Sequence, residues 1–304
     1  MDRLAIRTSW HVRLDEVSAL ALRSRGAGAP VDLLGVSDKS GSLFVGTTDP
    51  SGAEHLSDDL SETVSDWTWD PEAGSQWEGL ATDGAARVLV LHEHAGNREA
   101  PSHVFGFGPD LDRLLLVVKL VVDDRAGSRW RESWRKDKDA RGEALVLLRD
   151  GHLLVAKQKA PIRLIEFGPR GAKAGGIGSS SFLPSDKRFR WPSERVVEYE
   201  ALDSWGVSDD DEKRLQSVND LAVFDGELYA ISRESRVVAR LQLHPEDGSL
   251  SVARRWEIPR AVENPEGLAM LDRLTWIVAD DLSRKEDPGG KRHNIFLLQP
   301  AESA

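Results

Sequence analysis

One short phrase recurs along this chain of 304 residues and constrains the fold more than any other feature. Its copies are EGLA at 78–81 and 266–269, with looser versions at 18–21, 143–146 and 219–222. Short β-rich runs follow each copy, and after Asn219 they read NDLAVFDG, ELYAISRES, RVVARLQLHPEDG and SLSVARRWEIP. Because Asp-Gly between apolar runs is a strong hairpin signal, one repeat predicts four short antiparallel strands.

The repeats predict a closed ring. The last copy, at 266–300, has one strand fewer than the others, and a β-rich run at 4–14 precedes the first copy. We therefore expect an all-β β-propeller, with five four-stranded blades closed by the N-terminal strand. Six blades stay possible, since a degenerate blade can hide in the loop regions 123–141 or 170–216. We expect one domain over residues 1–304.

The first residue of each copy begins the innermost strand of a blade, so these side chains converge near the axis. They are Ser18, Glu78, Glu143, Asn219 and Glu266. Like charges raise each other's pKa, and a hard cation relieves both this repulsion and the desolvation of the carboxylates. Oxygen-only ligands suit calcium or magnesium, and several carboxylates with room for water favour calcium, so we predict a divalent-cation site for calcium at Glu78, Glu143, Asn219 and Glu266. The alternative is that these residues cap strand starts or pair with nearby cations.

A second ring comes from the ends of the next strands. It includes Asp38, Glu93, Lys157, Arg233, Asp280 and Asp281, with His92 beside Glu93. Groups of both signs near a cation suit a polar small ligand. We predict Glu93 or His92 as general base, and Lys157 and Arg233 as stabilisers of a developing oxyanion. The alternative is a solvated ring of ion pairs.

Composition excludes several classes. The formal net charge of −11 disfavours general binding of nucleic acid, and the absence of cysteine excludes disulfides and thiolate chemistry. The sequence has no G-x-S-x-G elbow and no P-loop. No apolar run reaches the ~18 residues of a membrane span, and the N-terminus lacks an apolar signal region. We expect a cytoplasmic protein with no membrane partner.

The motifs resemble those of the phytase-like esterase and SdiA-regulated propellers, and more distantly the gluconolactonase/regucalcin and strictosidine-synthase-like propellers. The residues that carry the resemblance are EGLA at 78–81 with LVLHEH at 89–94, EGLA at 266–269, IVADD at 277–281 and HNIFLLQP at 293–300. The resemblance implies a divalent cation, usually calcium, in the channel and a hydrolytic or binding site at its mouth. Glu78 and Glu266 match acidic ligands at inner-strand starts, and Asn219 resembles the Asn of the lactonase-like N-G-L phrase.

Two functions follow from these patterns. The first is a metal-dependent hydrolase of a small ester, lactone or phosphoester at the channel mouth. The second is a non-catalytic propeller that binds a small molecule or a protein partner, with Lys157 and Arg233 paired to the carboxylates. A channel closed by ion pairs between Arg233 and glutamates favours the second.

Overall fold

The computed structural model describes residues 2–26, 28–49, 51–57, 60–64, 75–94, 101–123, 131–132, 134, 142–282 and 292–301. Over these residues, twenty strands form five antiparallel groups of four. Three of the groups are β2(Val17–Ser24), β3(Val31–Ser37), β4(Leu43–Thr47), β5(His55–Leu56); β6(Ser75–Thr82), β7(Val88–His94), β8(Ser102–Phe107), β9(Leu114–Val121); and β10(Ala144–Leu147), β11(Leu153–Lys157), β12(Arg163–Pro169), β13(Val196–Val207). The others are β14(Asp220–Phe224), β15(Glu227–Ser232), β16(Val237–His244), β17(Ser249–Glu257), and β18(Pro265–Asp272), β19(Thr275–Asp280), β20(Ile295–Pro300) with β1(Asp2–Trp10).

The N-terminal strand completes the last group, as the repeat pattern predicts. β1 pairs antiparallel with β20, from Leu4 opposite Pro300 to Trp10 opposite Ile295. Beyond the strand, the Asn294 side chain accepts a hydrogen bond from Val12 N at 2.8 Å and donates to Val12 O and Leu14 O. The two ends of the chain are therefore joined by a strand ladder and by a buried amide.

The first strands of the groups surround a central axis. β2, β6, β10, β14 and β18 contact one another in turn, and β18 contacts β2 again, so the ring of inner strands is closed. This arrangement is the β-propeller that the repeats predict. Residues 170–216 add only β13 and a short helix to this part of the chain. Most of the loop region 123–141 lies outside the described residues.

Short parallel bridges join the outer strands of four groups. β9 pairs with β13, β13 with β17 and β17 with β1, for example at Gly206 opposite Ser249 and Asp2 opposite Trp256. An outer strand normally presents unpaired backbone groups to solvent. Here part of each edge is covered by the neighbouring group.

Apolar side chains fill the layers between the groups. One layer holds Leu91, Leu145, Val155 and Phe167, all at most 1% exposed. Trp134 packs against Phe167 in this layer, so this tryptophan is a core residue.

The described residues include two helices, α1(Ser61–Val64) and α2(Asp209–Leu215). Ser208 caps α2, because its hydroxyl accepts a hydrogen bond from Asp211 N at 3.2 Å. Within this part of the chain, no helix combines the length and apolar character that crossing a bilayer requires.

Candidate functional site

The first motif residue lies at a β-bulge in three of the inner strands. The ladder of β2 skips Ser18, that of β6 skips Glu78, and that of β18 is irregular across Glu266 and Gly267. A bulge redirects a side chain and is common beside functional sites. The bulges thus set these residues apart from the regular alternation of the strands.

The glycine of the EGLA motif allows the inner strands to approach each other. A Cβ on Gly79 would lie 3.1 Å from Leu145 N, and one on Gly267 would lie 2.9 Å from the Leu20 side chain. Both neighbours belong to the next inner strand. The motif therefore combines a polar residue at the channel mouth with a close contact between neighbouring inner strands.

The leucine that follows forms the wall of a separate apolar cavity. Its lining includes the third motif residue of every copy, which are Leu20, Leu80, Leu145, Leu221 and Leu268. The cavity has a volume of about 320 Å³. The channel is thus polar at the first motif position and apolar at the third.

Glu78 and Glu143 are buried beside each other at the polar end. Their exposed fractions are 7% and 6%. Burial raises the pKa of Glu78 well above its ordinary value, and repulsion from Glu143, Asp38, Glu93 and Glu266 adds to the effect. Burial likewise raises the pKa of Glu143, with Glu93 and Glu266 as the main repelling charges. Glu143 and Glu266 thus lie close enough to Glu78 to repel its carboxylate.

Arg233 offsets part of this negative charge. Its Nη1 lies 2.5 Å from Glu266 Oε1 and 3.2 Å from Asp281 Oδ2. Burial still raises the pKa of Glu266 to about 7, although Arg233 opposes the shift. Burial, Glu266 and Asp38 raise the pKa of Asp281 to about 8. Burial therefore favours the protonated form of both carboxyl groups, relative to a carboxyl group in water.

A compact group of three carboxylates lies at the rim. Oxygens of Glu16, Asp38 and Asp281 all lie within 4.8 Å of one another. Lys39 Nζ lies 2.8 Å from Asp38 Oδ2 and 3.3 Å from Glu16 Oε2. Asp38 Oδ1 and Asp281 Oδ1 are buried and have no hydrogen-bond partner. These two oxygens are open to a further ligand.

Among the described residues, Glu78, Glu143 and Glu266 do not form a group as tight as this rim trio. The fourth predicted ligand, Asn219, uses its side-chain oxygen within the fold. Asn219 Oδ1 accepts hydrogen bonds from Ser217 Oγ at 2.7 Å and from Arg233 N at 3.1 Å. This is the strand-capping role that the sequence left open as the alternative.

Asp220 links three of the inner strands. Its side chain is 0% exposed and accepts hydrogen bonds from the backbone N–H groups of Leu268, Leu20 and Leu221 at 2.8, 3.2 and 2.8 Å. Burial raises the pKa of Asp220 well above its ordinary value, and these three hydrogen bonds oppose the shift. Asp220 thereby ties β14 to β18 and β2.

The predicted general bases lie on different faces of β7. His92 is buried against Phe105, with the ring centroids 5.6 Å apart, and beside His103. Glu93 is 1% exposed and contributes to the raised pKa of both Glu78 and Glu143. Glu93 is therefore the predicted base that belongs electrostatically to the mouth.

Lys157 and Arg233, the two predicted oxyanion stabilisers, differ in exposure. Lys157 is 0% exposed and its Nζ donates to Lys159 O at 2.7 Å. The Arg233 side chain is 40% exposed. Arg233 is thus the cation that a ligand entering the mouth can reach.

Three residues that sequence reasoning did not single out contribute to this region. Asp220 stands at the second motif position, where the other copies have Gly or Ala, and this contrast was a usable signal. Glu16 and Lys39 lie at the ends of β2 and β3, and nothing in the repeat pattern marks them.

Solved structures confirm the fold. The chain is similar to the PQQ-bound aldose sugar dehydrogenase of Streptomyces coelicolor, with 10% identity, 98% of each chain covered and a TM-score of 0.50. It is also similar to glutaminyl cyclase of Myxococcus xanthus, with 13% identity, 99% of this chain and 98% of that chain covered and a TM-score of 0.51. Likeness at these identities concerns the fold alone.

A calcium-binding protein, regucalcin of Agrobacterium tumefaciens, is matched with 13% identity and a TM-score of 0.43, over 91% of this chain and 74% of that chain. No protein-family model and no curated protein matches the sequence. The propeller fold is thus confirmed, whereas the specific likeness to phytase-like and SdiA-regulated proteins stays a prediction.

Proposed function

We propose that the channel mouth binds a divalent cation, calcium, and hydrolyses a small ester, lactone or phosphoester there. The proposal depends on the carboxylates that lie around Glu78. Burial raises the pKa of Glu78, and four neighbouring acids raise it further. Carboxyl groups with a strongly raised pKa are typical of sites where a bound ligand supplies the compensating charge.

The residues present fit a hard cation. Oxygen is the only donor type at the inner glutamates and at the rim trio of Glu16, Asp38 and Asp281. Two rim oxygens, Asp38 Oδ1 and Asp281 Oδ1, are buried without a hydrogen bond. Calcium accepts six to eight oxygen ligands in flexible geometry, which suits this mixed set of carboxylates. When bound, such a cation polarises a carbonyl or phosphoryl oxygen and lowers the pKa of a coordinated water.

The chain's own residues supply the remaining chemistry. Glu93 accepts a proton from the attacking water, since it lies among the inner carboxylates while His92 packs against Phe105. Arg233 presents its guanidinium to the developing oxyanion from a position that solvent reaches. Lys157 is buried and donates to Lys159 O at 2.7 Å, so its contribution to stabilising an oxyanion stays a prediction.

The second candidate is non-catalytic binding of a small molecule or a protein partner. The ion pairs of Arg233 with Glu266 and Asp281 favour it, because a guanidinium held by two carboxylates already balances much of the local charge. In this reading the same mouth recognises a polar ligand without turning it over.

The test compares cation binding with turnover. The 304-residue chain is treated with EDTA, and its melting temperature is measured as calcium is added. A cation at a hundredfold excess over Kd stabilises a protein by about 2.7 kcal/mol, so the transition should move upward. Hydrolysis is assayed with p-nitrophenyl acetate, glucono-δ-lactone and p-nitrophenyl phosphate, one probe for each bond class.

Glu78→Gln should abolish both the calcium response and turnover without changing the circular dichroism spectrum. Arg273→Ala is the matched control, because Arg273 forms an exposed ion pair with Asp225 away from the mouth. Calcium binding without turnover of any probe selects the second candidate. No calcium response at all contradicts the cation site.

A further inference from the structure

A second cluster of ligand-type side chains lies away from the channel mouth, in the group formed by β10 to β13. Asp150 and His152 belong to the turn between β10 and β11, and Glu166 lies in β12. One ligand atom from each of the three lies within 4.8 Å of the other two. None of these residues takes part in the chemistry proposed for the mouth.

We propose that Asp150, His152 and Glu166 form a binding site for a divalent transition-metal ion, of which Zn²⁺ is the representative. His152 Nδ1 lies 2.6 Å from Glu166 Oε1 and 3.1 Å from Asp150 Oδ2. Two ligands of a tetrahedral zinc ion with bonds near 2.0 Å stand about 3.3 Å apart, so His152 Nδ1 and Glu166 Oε1 must separate by about 0.7 Å to hold the ion.

An unpartnered oxygen at Glu166 supports this assignment independently of the cluster itself. The Glu166 side chain is 0% exposed. Its Oε1 accepts hydrogen bonds from His152 and from Gly175 N at 2.8 Å, whereas Oε2 is buried with no hydrogen-bond partner. A buried carboxylate oxygen without a donor is costly, and a metal ion is one way to satisfy it.

The site is open to solvent on one side only. The Asp150 side chain is 44% exposed, whereas the His152 side chain is 8% exposed. The surrounding backbone is held in place, because Tyr199 Oη donates to Gly151 O at 3.0 Å and His152 N donates to Asp150 Oδ1 at 3.1 Å. An ion can therefore enter past Asp150, with water completing its coordination.

The donor set distinguishes this site from the channel mouth. One imidazole and two carboxylates suit zinc and its first-row neighbours, while calcium prefers oxygen ligands alone. Bound here, the ion would connect the 149–152 turn to β12 and, through Gly175, to the segment that follows β12. Its expected effect is stabilisation of this group of strands.

The test uses Zn²⁺ itself on the chelator-treated 304-residue chain, followed by isothermal titration calorimetry and by melting temperature. One equivalent should bind and raise the melting temperature, and Co²⁺ should give the visible absorption of a low-symmetry site. His152→Gln and Asp150→Asn should each weaken zinc binding by about tenfold or more. Because Asp150 is half-exposed, its variant keeps the test valid even if Glu166→Gln fails to fold.

Two controls isolate the site. His244→Gln alters a histidine that contacts Ser251 and Glu246 on another group of strands, and it should leave zinc binding unchanged. Glu78→Gln should also leave it unchanged, so failure of the mouth proposal and failure of this one give different results. Absence of zinc binding, or equal affinity in Asp150→Asn, His152→Gln and the parent protein, overturns the proposal.

Discussion

Arg233 bridges Glu266 and Asp281, with Nη1 2.5 Å from Glu266 Oε1 and 3.2 Å from Asp281 Oδ2. One guanidinium thus contacts two acids, one at the start of β18 and one directly after β19. A cation at the mouth and this guanidinium would act on the same carboxylates. A bound cation and Arg233 therefore compete for these carboxylates, so replacing Arg233 distinguishes the cation site from the alternative in which ion pairs close the mouth.

Replacing Arg233 should distinguish a cation site at the mouth from a mouth closed by ion pairs. Arg233→Ala removes the competing charge, so calcium affinity should rise by about tenfold while turnover falls by about 10²–10³, the usual effect of losing an oxyanion donor. Calorimetry and initial rates check the two effects. The control is Arg240→Ala, since Arg240 pairs with Glu227 at 2.7 Å with similar exposure but elsewhere in the fold. Unchanged calcium affinity in Arg233→Ala would falsify the competition.

The EGLA glycines should be intolerant of even one methyl group. Gly267→Ala places a Cβ 2.9 Å from the Leu20 side chain and 3.2 Å from Ala19 C, so β18 and β2 must separate. We expect a loss of about 1–3 kcal/mol in the free energy of unfolding. Gly178→Ala is the control, because a Cβ there meets nothing within 4 Å. Equal denaturation midpoints for the two variants would show that the inner strands are not packed this closely.

The repeat pattern predicted most of the fold. Each copy carries the hairpin signals for its own strands, and the order of the copies along the chain predicts the order of the strand groups around the ring. It also predicted that Glu78, Glu143 and Glu266 converge, since equivalent strand starts must meet at the axis. The contrast at the second motif position marks Asp220 as unusual, but its contacts to Leu20 and Leu268 join strands that are distant in sequence, so the pattern did not predict them. The repeat pattern also does not specify which carboxylates the long side chain of Arg233 contacts.

Asp220 should be a stability residue rather than a binding residue. Asp220→Ala leaves the N–H groups of Leu20 and Leu268 buried without an acceptor. Each such loss costs about 1–3 kcal/mol, so the variant should unfold at markedly lower urea concentration. Asp225→Ala, which alters an exposed partner of Arg273, is the comparison. A variant with normal stability but no calcium response would instead place Asp220 in the cation site.

Acid should weaken the fold through Asp32. Burial alone would raise the pKa of Asp32, but hydrogen bonds from Arg25 and from the fully buried Arg23 outweigh it, and the net pKa is lowered. A lowered folded-state pKa gives stability that is present above the unfolded value and lost as pH falls through the folded value. The free energy difference between the parent protein and Asp32→Asn should thus be constant near neutral pH and shrink below about pH 4. A difference that does not change with pH contradicts this assignment.

Ring closure should depend on Asn294 as well as on the β1–β20 ladder. The Asn294 side chain is buried and makes three hydrogen bonds to the backbone of Val12 and Leu14. Asn294→Ala leaves these groups without partners in an apolar setting, so we expect a loss of about 2–3 kcal/mol. Gln242→Ala, at an exposed position of β16, should change little.

Removing residues 1–14 should disrupt ring closure more severely than Asn294→Ala, because it exposes the hydrogen-bonding edge of β20 along Ile295 to Pro300. An exposed strand edge of this kind pairs with other chains, so the truncated protein should aggregate during concentration. Light scattering and the melting temperature measure the outcome, with Asn294→Ala as the milder step in the same series. A truncated chain that stays monomeric at the parent melting temperature would mean that β1 is not needed to close the propeller.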